Sequence, residues 1–446
     1  MKVAGVLFLT LSAATPASSV FVIVPGVVQA AGSGALIAMA LAGVVALCMA
    51  LTYAELGSRH PSAGGEYAIV GHALGPSFGF AMLGVNLMNL VLASAALSLG
   101  VADYLGALAP GLQPVPTALA VMAAATALGV LNIRTSAAVT GAFLVVELAA
   151  LAAVTALGFA HPARGLGEVL LHPVSEISAH GALGPVGLGA LATGAVVGLF
   201  AYDGYGSAIY LSEEVLDVRR RLVRAVLWAL GVTAAAEMLS LAAVLTGAPS
   251  LPRLFAGGDG MISAFAAERG GRAFAAAMSG GVALAILNAV IALVLMTARQ
   301  LYATARDGAW PAPANHALTR VSARFGSPWA ATLLAGGVGA ALCFVPLDRL
   351  LILSGSSVSL IYAGLCIASL RSGRRARVAS DGWRMPLWPA PPLLALGLIG
   401  LVTVTSLKDS AISLGVSITA GAVAALYHAA VLRRRGGWSL RGPQVD

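Results

Sequence analysis

Two short stretches hold most of the polar chemistry in the apolar body of this chain. SAATPASSV (Ser12–Val20) sets Thr15, Pro16, Ser18 and Ser19 between apolar runs, and FAYDGYG (Phe200–Gly206) sets Asp203 among Tyr202, Tyr205, Gly204 and Gly206. Neither offers a nucleophile beside a base or the spacing of a metal site, and GGVALAILN (Gly280–Asn288) is apolar helix, not a phosphate loop. What both can do is interrupt a helix. Proline deletes a backbone donor and clashes with the preceding turn, at about 3 kcal/mol, and glycine permits conformations that a helix does not use. An interrupted helix offers free N–H groups to an anion and free carbonyls to a cation, so the two stretches read as halves of a ligand site. The blander reading of Thr15, Ser18 and Ser19 is that their hydroxyls re-satisfy backbone groups freed by Pro16. Glu147 stands in an apolar run of its own, where an acid is a functional candidate by default; Glu237 also lies inside an apolar run, and the sequence names no partner or role for it.

The elements that carry these residues are membrane helices. Of 446 residues 59% are hydrophobic and 10% charged, with mean hydropathy +0.90, against about 25% charged in soluble domains. The chain reads as an all-α integral membrane protein. Twelve segments are long and apolar enough to span: 4–30, 34–57, 77–104, 115–132, 137–160, 185–212, 222–247, 273–304, 328–346, 348–370, 389–407 and 411–432. The first is too long for a cleaved signal. With the N-terminus cytoplasmic, 20 of the 26 lysines and arginines fall on the inside. The expectation is therefore a multi-pass protein of the cytoplasmic (inner) membrane with both termini cytoplasmic. The net charge of +8 then belongs to inside loops and not to nucleic-acid binding. Cys48, Cys343 and Cys366 are widely spaced in apolar runs and read as buried small hydrophobes. No cofactor or metal is implied.

The interrupted helices are the first and the sixth, five apart. That spacing suggests an inverted five-plus-five repeat: helices 1–5 over residues 1–160, helices 6–10 over 161–371, then helices 11–12 and a tail over 372–446.

Four fragments in this order resemble the amino acid–polyamine–organocation (APC) superfamily of transporters. ASSVFV (Ala17–Val22), followed by Pro25-Gly26, stands where that family has GSGIF. YAELGSRHPSAGGEYAIVGHALGPSFGF (Tyr53–Phe80) is close to its Y-x-E-L, P-x-x-G-G-x-Y and G-x-x-x-G-F pattern. FAYDGYGSAIYLSEEVLDVRR (Phe200–Arg220) resembles its F-A-Y-x-G-F…E-E segment, and ARQLYATARDGAWP (Ala298–Pro311) resembles its R-x-x-x-x-x-A-R-D-G-x-x-P. Ala17 and Ser19 replace two of the family's glycines, so the expected unwound loop carries side chains. Asp217-Val218 replaces its N-P.

The resemblance implies a secondary transporter of amino acids or related amines, working by alternating access. The ligand's carboxylate would meet backbone N–H and hydroxyl groups around Thr15, Ala17, Ser18 and Ser19. Its amine would meet carbonyls of Phe200, Ala201 and Asp203, with Tyr202 and Gly204 alongside. Glu147 falls where several relatives carry a lysine that stands in for sodium, and the reversed charge favours a proton, less so sodium, as the coupled ion. A membrane-embedded sensor on the same fold is the alternative. Glu55, Glu66, Glu213, Glu214 and Asp307, with Arg59, Arg219 to Arg221 and Arg306 nearby, read as loop caps and gate salt bridges. His161, His172 and His180 read as solvated loop residues.

Overall fold

The structure is a computed structural model that describes residues 7, 10–11, 14–59, 65–109, 111–131, 137–176, 182–214, 218–375, 383–435 and 438. Its helices are α1 (Pro16–Ser18), a π-helical turn (Ser19–Ile23) and α2 (Val24–Ala31), then α3 (Ala35–Arg59), α4 (Gly65–Leu74), α5 (Pro76–Leu108), α6 (Pro114–Val130) and α7 (Ala137–Ala160). After α8 (Leu166–Leu171) and a two-stranded antiparallel hairpin, β1 (Val174–Glu176) with β2 (Leu183–Pro185), come α9 (Leu188–Tyr202) and a 3-10 segment (Tyr205–Glu214). Then follow α10 (Val218–Gly247), α11 (Leu251–Ala256), a 3-10 turn (Gly258–Gly260), α12 (Met261–Arg306), α13 (Ala312–Leu318), α14 (Trp329–Leu342), α15 (Leu347–Arg375), α16 (Ala390–Thr405) and α17 (Leu407–Tyr427), which ends in a π-helical turn (His428–Leu432) and a last helical turn (Arg433–Arg435).

Among the described residues seven helical stretches are long and apolar enough to cross a membrane, and α6, α14 and α16 are shorter apolar helices. The first of the seven, Pro16–Arg59, contains two of the expected spans, divided by a 3-10 turn at Gly32–Gly34. Each of the twelve expected segments overlaps helix. The outward surface is apolar: Ile412 is 85% exposed, Val404 71% and Val145 66%. A water-soluble surface does not carry so much bare aliphatic side chain, whereas a bilayer requires it.

Because lipid tails are as apolar as leucine, helices here are held by close packing of small residues. Where α7 meets α10, a Cβ on Gly158 would collide with the Ala243 carbonyl oxygen, and one on Gly247 would lie 2.7 Å from the Gly158 oxygen. Where α15 meets α9, Gly355 lies against the Val196 carbonyl in the same way. The most extensive packing joins α12 to α5, with α10 on α7 and α3, α9 on α3, and α14 on α6. At one end the hairpin is pinned to the Gly32–Gly34 turn, where the Val174 N–H donates to Ser33 Oγ at 2.8 Å. His161 and His172 are exposed near this end. His180 and Asp217 lie outside the described residues, as do the side chains of Glu213, Glu214, Arg219 and Arg220.

Candidate functional site

Proline explains where the first helix breaks. Pro16 occupies the first helical position, and its ring disfavours helical geometry at the residue before it. Thr15 is accordingly left-handed (φ 40°, ψ 71°). The break therefore sits earlier than the sequence suggests. Ala17 and Ser18 are helical, and Ser19 begins a π-turn, instead of forming an unwound loop. The sixth helix breaks as the glycines predict. It ends at Tyr202, Asp203 is extended (φ −63°, ψ 152°), and Gly204 takes φ 120°, a value that strains any residue with a Cβ.

The two breaks face one cavity of about 70 Å³. Thr15, Ser18, Ser19, Phe200, Asp203 and Gly204 line it, joined by Glu66 from α4, Asn86 and Asn89 from α5, Ser207 from the 3-10 segment, and Leu293 and Met296 from α12. Ala17, Ala201 and Tyr202 do not line it. Tyr202 is instead packed on α3, 3.5 Å from where a Cβ of Gly43 would stand. The Ala201 carbonyl, expected to be open to a ligand, accepts Ser19 Oγ at 2.7 Å and so ties the first helix to the sixth.

Asp203 is held from three sides. Asn89 Nδ2 donates to one oxygen at 3.3 Å, and the Tyr362 hydroxyl donates to the other at 3.4 Å. The Gly204 backbone N–H adds a third bond. Tyr205 donates to Tyr362 at 3.0 Å, and the rings of Tyr53, Tyr205 and Tyr362 pack together behind the cavity. Glu66 accepts from Tyr53 at 3.2 Å and from Asn86 at 3.3 Å. Among the described residues the lining thus holds two carboxyl groups and no lysine or arginine, a surface suited to a cationic group. On the helix-one side Ser18 Oγ is buried with no hydrogen-bond partner among the described residues.

Glu66 departs from its expected role as a loop cap, because α4 turns its start toward the cavity. Glu55 and Asp307 match theirs more closely. Glu55 pairs with Arg59 and accepts the Met385 N–H at 3.3 Å, and Asp307 lies 3.5 Å from Arg306 Nε and accepts the Tyr67 hydroxyl at 3.1 Å. Burial and the neighbouring Asp307 push the Tyr67 phenol well above its ordinary range. Glu147 stands outside the cavity on α7, which packs against Pro16–Ser18. It is 1% exposed, and neither carboxyl oxygen has a hydrogen-bond partner among the described residues. Sequence reasoning missed Asn86, Asn89 and Tyr362. The signal for the first two was an i, i+3 pair of amides in an apolar helix.

A family model described as amino acid permease matches residues 2–425. An uncharacterized transporter of Mycobacterium tuberculosis is 31% identical over 94% of this chain and 88% of its own length. A methylthioribose transporter of Bacillus subtilis is 25% identical, covering 84% of this chain and 82% of the relative. A branched-chain amino acid permease of the same organism is 24% identical, covering 85% and 82%.

Proposed function

The chain belongs to the amino acid permease family, and on that premise we propose that it is a secondary active transporter of amino acids or closely related amines. The observation that carries this reading is the cavity between the two breaks, where Asp203 and Glu66 face Ser18 and the first turn after Pro16. An ammonium group suits the acidic side, and a carboxylate suits the N-terminal turn with its unpartnered hydroxyl. Residues 1–160 and 161–371 form two five-helix repeats on this reading, followed by helices 11–12 and the tail. The pairing of α5 with α12, α3 with α10 and α6 with α14 supports it, since each pair joins helices five apart in the expected order. The protein sits in the cytoplasmic membrane with both termini inside, by the distribution of its positive charges, and alternates access by rocking helices one, two, six and seven against the rest.

A proton is the coupled ion, carried on Glu147. A lone buried carboxyl can cycle one proton without a preformed ion cage, and among the described residues no cation stands beside it. The methylthioribose relative makes a sugar-like cargo the second reading to test. Uptake into proteoliposomes decides among these, using L-leucine, L-alanine, L-arginine, putrescine and methylthioribose, with and without an imposed pH gradient and without sodium. Accumulation of an amino acid or amine on the pH gradient is expected, lost in Glu147→Gln while exchange continues. Steady conversion of a substrate to product, or binding without flux as in a sensor, overturns the transport reading. A sodium requirement, or undiminished accumulation by Glu147→Gln, overturns the proton assignment.

A further inference from the structure

The last carbonyls of a helix have no partner within it, and at the end of α9 they are taken in turn. The Phe200 oxygen accepts the Asp203 N–H at 3.1 Å, and the Ala201 oxygen accepts Ser19 Oγ at 2.7 Å. The Ser19 hydroxyl therefore does two things: it latches the broken helices together, and, itself lining the cavity, it covers a carbonyl that lies just behind the cavity wall. Beside Ser19, from α10, stands Glu237. It is 0% exposed, and apart from the Ser19 hydroxyl beside it neither carboxyl oxygen has a hydrogen-bond partner among the described residues. Ser19 has one proton, already given to Ala201, so it cannot satisfy a carboxylate. A neutral acid brings its own proton and has the Ser19 oxygen beside it as acceptor.

Among the described residues nothing else around α10 supplies a countercharge to Glu237. Tyr202 is the ionisable side chain near it. On α7 the acid is Glu147, itself unpaired. On α3 Glu55 and Arg59 engage each other and Tyr53 donates to Glu66, while in the 3-10 segment Tyr205 donates to Tyr362. Glu168 on α8 is exposed.

We propose that Glu237 is a proton-binding site that excludes the ligand's amine: protonated, it leaves Ser19 latched to Ala201, and deprotonated, it draws Ser19 away and frees that carbonyl. A carboxylate is a stronger acceptor than a carbonyl, so loss of the proton turns the single Ser19 hydrogen from the Ala201 oxygen to Glu237. The balance is one neutral Glu237 carboxyl and one free ammonium ion giving a Glu237 carboxylate, a bound ammonium on the Ala201 carbonyl, and one proton released to water. Proton and amine thus compete at one latch, which gives exchange of one for the other, whatever proton Glu147 carries. The inference rests on the amine-transport reading and adds to it the identity of the competing proton.

Two measurements test it. In purified protein, infrared spectra record the stretch of buried protonated carboxyl groups without any ligand. Glu237→Gln should lose one such component that Ser19→Ala retains at a shifted frequency, and an unchanged spectrum in Glu237→Gln overturns the proposal. In weakly buffered solution, binding of L-leucine, L-alanine or L-arginine, followed by calorimetry, should release close to one proton per molecule bound. Affinity should then strengthen up to about tenfold per pH unit. Glu237→Gln and Ser19→Ala should bind without that release, because in either variant no proton competes for the latch. Binding to wild type with no proton released overturns the proposal. If none of the three amino acids binds, the amino-acid reading fails, while the infrared result still decides whether Glu237 carries the proton.

Discussion

At the scale of single residues, the acid in the sixth-helix break sets what the cavity prefers. Asp203 is oriented by Asn89, Tyr362 and the Gly204 N–H, so its negative charge is aimed and not merely present. A hydrogen bond to a charged group contributes about 1.5–3 kcal/mol. Asp203→Asn should therefore weaken an amine-bearing substrate about tenfold to hundredfold, read by competition against labelled L-leucine. The asparagine oxygen still accepts from Asn89 or Tyr362, so the melting temperature should move little. Equal loss of binding and of folded protein would make Asp203 a structural residue. Asp203 was legible in the sequence because a charge inside an apolar run is expensive enough to announce itself. Glu66 was not, because its neighbours in sequence are loop residues and only the approach of α4 to α5 carries it into the cavity. Tyr362 was hidden for a different reason. A tyrosine in a membrane helix is as often core as ligand, and only the meeting of three helices makes it a donor to Asp203.

At the scale of elements, sequence gave the existence of both breaks but misplaced the first. The family resemblance pointed to Ala17–Ser19, while the physics of proline acts on the residue before it, and Thr15 is the one that turns left-handed. For a β-branched residue that conformation costs about 1–2 kcal/mol. Thr15→Gly should consequently raise stability by about 1 kcal/mol in a detergent melt while removing a hydroxyl from the cavity wall. A gain in stability with weaker L-leucine binding is the expected pair of results, and a loss of stability would show that Thr15 is not strained. The helix crossings behind the breaks were only partly legible. Glycines were visible in α7 and α10, but their register was not, since any small residue can face lipid. With Gly158 pressed on the Ala243 carbonyl, Gly158→Leu must separate α7 from α10 and should cost about 3 kcal/mol or more, beyond ordinary overpacking. Thermal unfolding measures this, and a wild-type melt would refute the crossing.

At the scale of the whole molecule, the cavity is too small for its task as it stands. About 70 Å³ falls well below the roughly 300 Å³ at which ligand pockets begin, so cargo requires the walls to part, as the proposed alternating access demands. The end of the molecule that carries Tyr67 and Asp307 is held by a tie from α4 to the end of α12, at 3.1 Å. A second tie nearby joins the Met385 N–H to Glu55 on α3. A device that opens at this end must break such ties, and one that has lost a tie should open more often. Tyr67→Phe removes the hydroxyl and keeps the ring. With Asn89→Cys as a reporter in the cavity wall, Tyr67→Phe should speed labelling by a membrane-impermeant thiol reagent applied from that end, and slow it from the other. The pH dependence follows from the phenol, whose proton is held above its ordinary range by burial and by Asp307. A raised value means that the tie is fully present below the unperturbed phenol value of about 10 and is lost only as pH climbs through the raised one. Labelling of the parent cysteine protein from this end should therefore show no step attributable to Tyr67 between neutral pH and about pH 10. The ratio of rates between Tyr67→Phe and its parent should stay constant over the same range. A ratio that collapses toward one as pH rises through that window would mean that the phenol ionises early and that the tie is not what keeps this end closed.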